Sequence, residues 1–150
     1  MSLARTNARK AVIQALYQWQ MTGQNLTEIE LQFLEEQRLK DAHKTYFTEL
    51  FFGVPKNLEV LDKALTEFVD RPVDTIDPVE RAILRMGTYE LIYRPEMPYK
   101  VVLNESINLA KFFGADGSHK YVNGILDKIA QKIRALEIQA KMKAKMASDQ

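Results

Sequence analysis

The side chains here that could do chemistry are cations and aromatic rings, in two groups at opposite ends of the sequence. Arg5 and Arg9 are spaced i, i+4, with Lys10 adjacent, so they share the first turns of an amino-terminal helix. The second group, Phe113, Lys120 and Tyr121, lies within the stretch Phe112-Phe-Gly-Ala-Asp-Gly-Ser-His-Lys-Tyr-Val-Asn-Gly124. Rings that stack unpaired bases, and cations that hold phosphates, are how proteins bind single-stranded RNA in a sequence-specific way. A merely solvated basic face accounts for the first group equally well, and an ordinary helix–helix corner for the second.

Other chemistries lack their residues. There is no cysteine, which excludes disulfides and thiolate metal sites, and the two histidines, His43 and His119, are far apart. No phosphate-binding glycine motif, Ser/His/Asp order or metal-ligand spacing is present. An enzyme, a cofactor and a metal are therefore not expected. No apolar run reaches the length of a membrane span and the amino terminus lacks a signal-peptide core, so a cytoplasmic protein without membrane association is expected.

The elements that must position these groups read as helices throughout, giving an all-α fold of about six to seven. A first helix over about Leu3 to Met21 buries Ala8, Val12, Ala15, Leu16 and Trp19, leaving Tyr17 on its flank. Thr27-Glu-Ile-Glu30 reads as a capping box, and its helix runs to about Lys40, burying Ile29, Phe33 and Leu34. Asp41 can cap the next helix. Its seam of Phe47, Phe51, Val54, Leu58, Leu61, Leu65 and Phe68 keeps phase through Pro55, which predicts one long helix kinked there. Asp77-Pro-Val-Glu80 is another capping box, opening a helix that is apolar on nearly every side and so central. Glu90 lies on that helix's buried face and must be paired. A further helix spans about Tyr99 to Phe113. Gly114 suits a left-handed closing residue, and Asp116 or Ser118 can cap the final helix, whose start carries a positive dipole end beside Lys120. Gly124 falls on its solvent side. Residues 1–136 form one domain on this reading, and 137–150 a basic tail that extends the last helix or frays.

The net charge of +1 hides an uneven distribution. Residues 1–23 carry three basic and no acidic side chains, residues 24–80 six basic and thirteen acidic, and residues 81–150 twelve basic and seven acidic. Basic ends around an acidic middle can offer two faces to two partners.

The glycine corner, with Pro98-Tyr-Lys-Val-Val-Leu-Asn-Glu-Ser-Ile-Asn-Leu-Ala-Lys111 before it, resembles the NusB family of bacterial antitermination factors. Ala8-Arg-Lys-Ala-Val-Ile-Gln-Ala-Leu-Tyr-Gln-Trp-Gln20 and Val79-Glu-Arg-Ala-Ile-Leu-Arg-Met-Gly-Thr-Tyr-Glu-Leu91 agree with it in the same order. The resemblance implies two small helical bundles packed together. It also implies that the amino-terminal helix and the corner adjoin, holding the single-stranded boxA element of nascent ribosomal RNA. RNA contacts would fall on Arg5, Arg9, Lys10, Phe113, Asp116, Ser118, Lys120 and Tyr121, with Arg9 and Tyr121 facing one groove. Contacts with NusE, a small-subunit ribosomal protein, would fall on Tyr17, Asp74 and Glu80, and the pair would join the RNA polymerase elongation complex with other Nus factors.

Two departures weaken the match locally. Thr6 and Asn7 stand where relatives often carry arginine, and Gly117 where many carry an acid. With about three to five cations engaged, log affinity should fall with log salt at a slope near −2 to −3.5. Stacking then carries most of the specificity, so Tyr121→Ala should weaken binding about tenfold or more. Two other jobs suit the same helices: an RNA-docking module like that of ribosomal RNA methyltransferases, or a protein-only scaffold, homodimeric through Tyr17 and the acidic segment.

Overall fold

Pro78–Tyr93 forms the helix about which the others are arranged: every residue from Ala82 to Leu91 is buried. The computed structural model describes residues 2–149. In chain order its helices are α1 (Leu3–Thr22), α2 (Leu26–Glu35), α3 (Lys44–Lys56), α4 (Leu58–Thr66), a 3-10 turn at Val73–Thr75, α5 (Pro78–Tyr93), α6 (Tyr99–Phe113), α7 (Ser118–Ile133) and α8 (Ala135–Ser148). The fold is all-α as expected, with eight α-helices among the described residues rather than six or seven. α5 touches α1, α3, α4, α6 and α7; α1, α2 and α3 pack on one another, as do α6 and α7.

One source of the higher count is Pro55. The expected long kinked helix is instead two helices separated by Asn57, whose φ of −112° and ψ of 23° leave the helical region. Proline offers no N–H to the carbonyl one turn earlier. The chain tightens to compensate: the Asn57 N–H donates to Gly53 O and Val54 O at 3.1 and 3.2 Å, and its side-chain amide donates to Gly53 O at 2.8 Å. The apolar seam still keeps its phase, with Phe47, Phe51, Val54, Leu61 and Leu65 fully buried.

Several helix starts differ from expectation. Asn25, not Thr27, caps α2 by accepting from the Thr27 N–H at 2.8 Å. α2 stops at Glu35, short of Lys40, and Gln37 follows with a φ of 57°. Leu34, expected in the core, is 43% exposed, while Ile29 and Phe33 are buried. His43, not Asp41, caps α3 through Nδ1. Asp77 caps α5 as read, accepting from the N–H groups of Val79 and Glu80 at 3.1 Å each. The other end of α5 is closed by Arg134, which donates to the carbonyls of Leu91, Met97 and Arg94 at 2.8–3.0 Å, satisfying acceptors that a helix end leaves open. The basic tail is helical as α8.

No helix among the described residues is long and apolar enough to cross a membrane.

Candidate nucleic-acid interface

α1 and α6 meet through a few side chains. Thr6 Oγ1 donates to Glu105 at 2.8 Å, and one turn on, Lys10 Nζ sits 4.5 Å from the centre of the Phe112 ring. The chain start and the carboxy-terminal corner therefore meet, through Lys10 and Phe112.

Arg9 is a correction. It is 1% exposed and points between helices. Its Nε and Nη2 donate to the two Glu90 oxygens at 2.9 and 2.8 Å, and Nη1 lies 3.4 Å from Glu105. Tyr46 donates its hydroxyl to Glu90 as well. Burial alone would lower the Arg9 guanidinium, but the Glu90 hydrogen bond and the carboxylate charges hold it above its ordinary value. Burial, then the Glu90 charge and hydrogen bond, push the Tyr46 phenol up. The expected pairing of Glu90 is thus made by Arg9. Arg5 leans the same way, its guanidinium 5.5 Å from the Tyr46 ring centre. Arg9 is drawn inward because α5 and α6 supply buried carboxylates that need a cation.

At the corner, the left-handed residue is Gly117 (φ 85°), not Gly114, which is extended at φ −87°. Gly114 is needed for space instead. A Cβ there would meet the Ala110 carbonyl and the Ser118 side chain at 2.7 Å. Neither Asp116 nor Ser118 caps α7. Ser118 is buried against Gly114 and cannot present its side chain to a ligand, a second correction. Asp116 and Lys120 are exposed, and Gly124 faces open space.

Tyr121 does not share a surface with Arg9. Its ring lies beneath Arg71, 5.3 Å from the guanidinium, and its hydroxyl is enclosed near the Asp70 carboxylate. Burial pushes its phenol up. Glu80 stands close by, its carboxyl raised by burial and then by Asp77, with the Ser118 hydroxyl and Arg71 acting in opposition.

Between these groups runs an apolar groove of about 480 Å³, lined by Ile13, Tyr17, Met21, Val79 and Phe113 among others. Tyr17 is 41% exposed at its wall. Gln20 donates to the Pro78 carbonyl at 2.9 Å, and Arg81 donates to the carbonyls of Asp74 and Ile76 at 2.8 and 3.2 Å. These bonds hold the end of α1, the Asp74 turn and the start of α5 together, so Tyr17, Asp74 and Glu80 occupy one region.

Sequence reasoning missed Phe112, which is 64% exposed and packs edge-on against Phe113 at 4.8 Å. A signal existed: Phe112 falls outside the Val102, Leu109, Ala110 and Phe113 stripe, beside Lys111 and within the glycine corner.

Geometry of this kind defines an all-helical domain built round one buried helix, with rings and cations beside an apolar groove. The model of the NusB family matches residues 6–131, and the chain belongs to that family. It is 52% identical to the transcription antitermination protein NusB of Nitrosococcus oceani, over 94% of this chain and 95% of the relative. Among solved structures, T. maritima NusB is 31% identical with a TM-score of 0.74, over 87% of this chain and 93% of that one. A chain from a crystal structure of antitermination factors NusB and NusE in complex with double-stranded RNA is 26% identical with a TM-score of 0.78, covering 88% and 99%.

Proposed function

We propose that this protein binds the single-stranded boxA element of nascent ribosomal RNA together with NusE, and joins the elongating RNA polymerase in the cytoplasm as a non-enzymatic antitermination factor. The observation that carries the reading is the Lys10–Phe112 pair, an exposed ring with a half-buried cation 4.5 Å from its centre, where α1 meets the corner. An unpaired base can stack on Phe112 while Lys10 and the exposed Lys111 and Lys120 hold phosphates. Phe113, packed edge-on against Phe112, and the exposed Asp116 extend that strip, Arg5 and Tyr121 are proposed as further contacts of the same RNA, and open space at Gly124 leaves room for a backbone to approach. Tyr17, Asp74 and Glu80 form the side for NusE, where acidic groups suit a basic partner.

Residues 1–136 act as the working domain on this reading. A relative of known structure was crystallised with NusE and double-stranded RNA, so the test must separate strands from duplexes. Titrations should use unpaired boxA-type RNA, a scrambled strand and a duplex, each with and without NusE. Preference for the boxA strand, tightened by NusE, is expected. Equal affinity for all three RNAs would refute it, and a NusE-indifferent homodimer formed through the apolar groove would favour the scaffold reading.

A further inference from the structure

Helix α8 is unaccounted for by the function above. It lies beyond the residues that the family model matches and buries none of its own. Its outer part carries Lys141, Lys143 and Lys145, with no acid from Ile138 to Ser148. Met142 and Met146, one turn apart, are 61% and 64% exposed.

The root of α8 is fixed against the first turn of α6. Glu137 accepts the Tyr99 N–H at 3.0 Å and pairs with Arg134 at 2.6 Å, and Lys141 Nζ lies 5.2 Å from the Tyr99 ring centre. From there α6 presents an exposed row at successive i+4 spacings: Lys100, Asn104, Asn108 and Phe112, with Lys111 beside the last. That row contains no acid and spans about 18 Å at helical rise. It ends at the Lys10–Phe112 pair. The row thus connects the base-stacking site to the root of the basic helix, where the one acid, Glu137, is already held by Arg134, Lys141 and the Tyr99 N–H.

We propose that α8 is a phosphate-holding arm for the RNA that flanks the recognised element, with the chain of nucleotides following the α6 ridge from Phe112 to Lys143 and Lys145. This rests on the RNA reading above. The ridge favours nucleic acid over an acidic protein segment. The amides of Asn104 and Asn108 offer donors and acceptors to base edges, and thioethers such as Met142 and Met146 make favourable contacts with aromatic faces. Lysines on a helix supply phosphate contact without sequence preference, as flanking RNA requires.

The test uses the full chain, the double variant Lys143→Gln/Lys145→Gln and the charge-keeping Lys143→Arg/Lys145→Arg. Neither lysine has an intramolecular ion pair among the described residues, so folding should be unchanged. Each protein is titrated with element-length boxA-type RNA and with the same RNA extended on either side by an unstructured single strand, across a salt series. For one extended RNA, the Gln variant should lose about 1.4 from the magnitude of the log–log salt slope, about 0.7 for each of two phosphates. Its affinity for that RNA should fall severalfold while element-length binding stays at the wild-type value, and the Arg variant should match wild type throughout. Identical slopes for wild type and the Gln variant on both extended RNAs would overturn the arm. So would a Gln variant that loses poly-glutamate binding but no RNA binding, which assigns α8 to an acidic protein. Wild-type protein that binds the element-length RNA without any gain on extension overturns the arm alone; binding neither RNA overturns the RNA reading as well.

Discussion

Arg9 and Lys10 are neighbours in sequence with the same formal charge, yet they belong to opposite parts of the molecule. Arg9 turns inward to Glu90, Glu105 and Tyr46, while the half-buried Lys10 lies over the exposed Phe112 ring. The corner repeats the division: Gly114 and Ser118 are packed together inside, and Phe112 and Lys120 stand outside. Counting cations therefore overstates what is available to a phosphate. A helical step of 100° separates a charge that holds the fold from one that can hold a ligand.

The largest effect should come from breaking the inward half. Arg9→Ala leaves two carboxylates buried without their cation, and we expect a loss of about 3–5 kcal/mol in denaturant or thermal unfolding. Lys10→Ala should stay within about 0.5 kcal/mol of wild type. Equal effects would erase the contrast. Arg9→Lys should also be costly, because an ammonium cannot reproduce the paired contacts to both Glu90 oxygens.

Gly114→Ala tests the division at the corner. The added methyl must displace a backbone carbonyl and Ser118, and we expect about 1–3 kcal/mol of destabilisation. Gly124→Ala, facing open space on a helix, should be neutral or stabilising by up to about 1 kcal/mol. The two are distinguished by thermal melts of the purified variants.

For RNA, Lys10→Gln should reduce the magnitude of the salt slope by about 0.7, whereas a folded Arg9 variant should keep the wild-type slope. A change in both would mean that Arg9 reaches phosphate after all.

The smallest effect concerns pH. The Glu80 carboxyl sits above its ordinary value because burial disfavours its charge. The folded chain therefore binds this proton more readily than the unfolded one. Its contribution to stability is present below the unfolded value and fades as pH rises through the raised one. A basic partner requires the ionised form, so NusE affinity should strengthen over that same rise, and Glu80→Gln should flatten the profile. A wild-type profile without slope in the acidic range would remove Glu80 from the partner surface.

Much of this was readable from the residues. α5 announced itself as central because its apolar residues leave no free face, and Asp77-Pro78 gave its start to the residue. The pairing of Glu90 followed from its place on a buried face. Its partner did not, because Arg9 lies 81 residues away and its spacing with Arg5 mimics an exposed basic cluster. The break at Asn57 was hidden by a seam that keeps phase across it, so periodicity alone could not reveal where the backbone leaves the helix. Asp41 and Thr27 were good caps in type, but the chain geometry gave those roles to His43 and Asn25. Gly114 and Gly117 were exchanged because a glycine required for space and one required for a positive φ look alike in sequence. Phe113 completes the core stripe and Phe112 does not, and two adjacent rings of one type give no other sign of which faces out.

The central claim is that RNA is read on the open strip where α1 meets the end of α6. It is tested most directly by titrating unpaired boxA-type RNA against wild type and Phe112→Ala in the same buffer, with melting temperatures measured in parallel. We expect affinity to drop about tenfold or more, as loss of one stacked base implies, with the melting temperature unchanged. Equal affinity in the two proteins would contradict the claim.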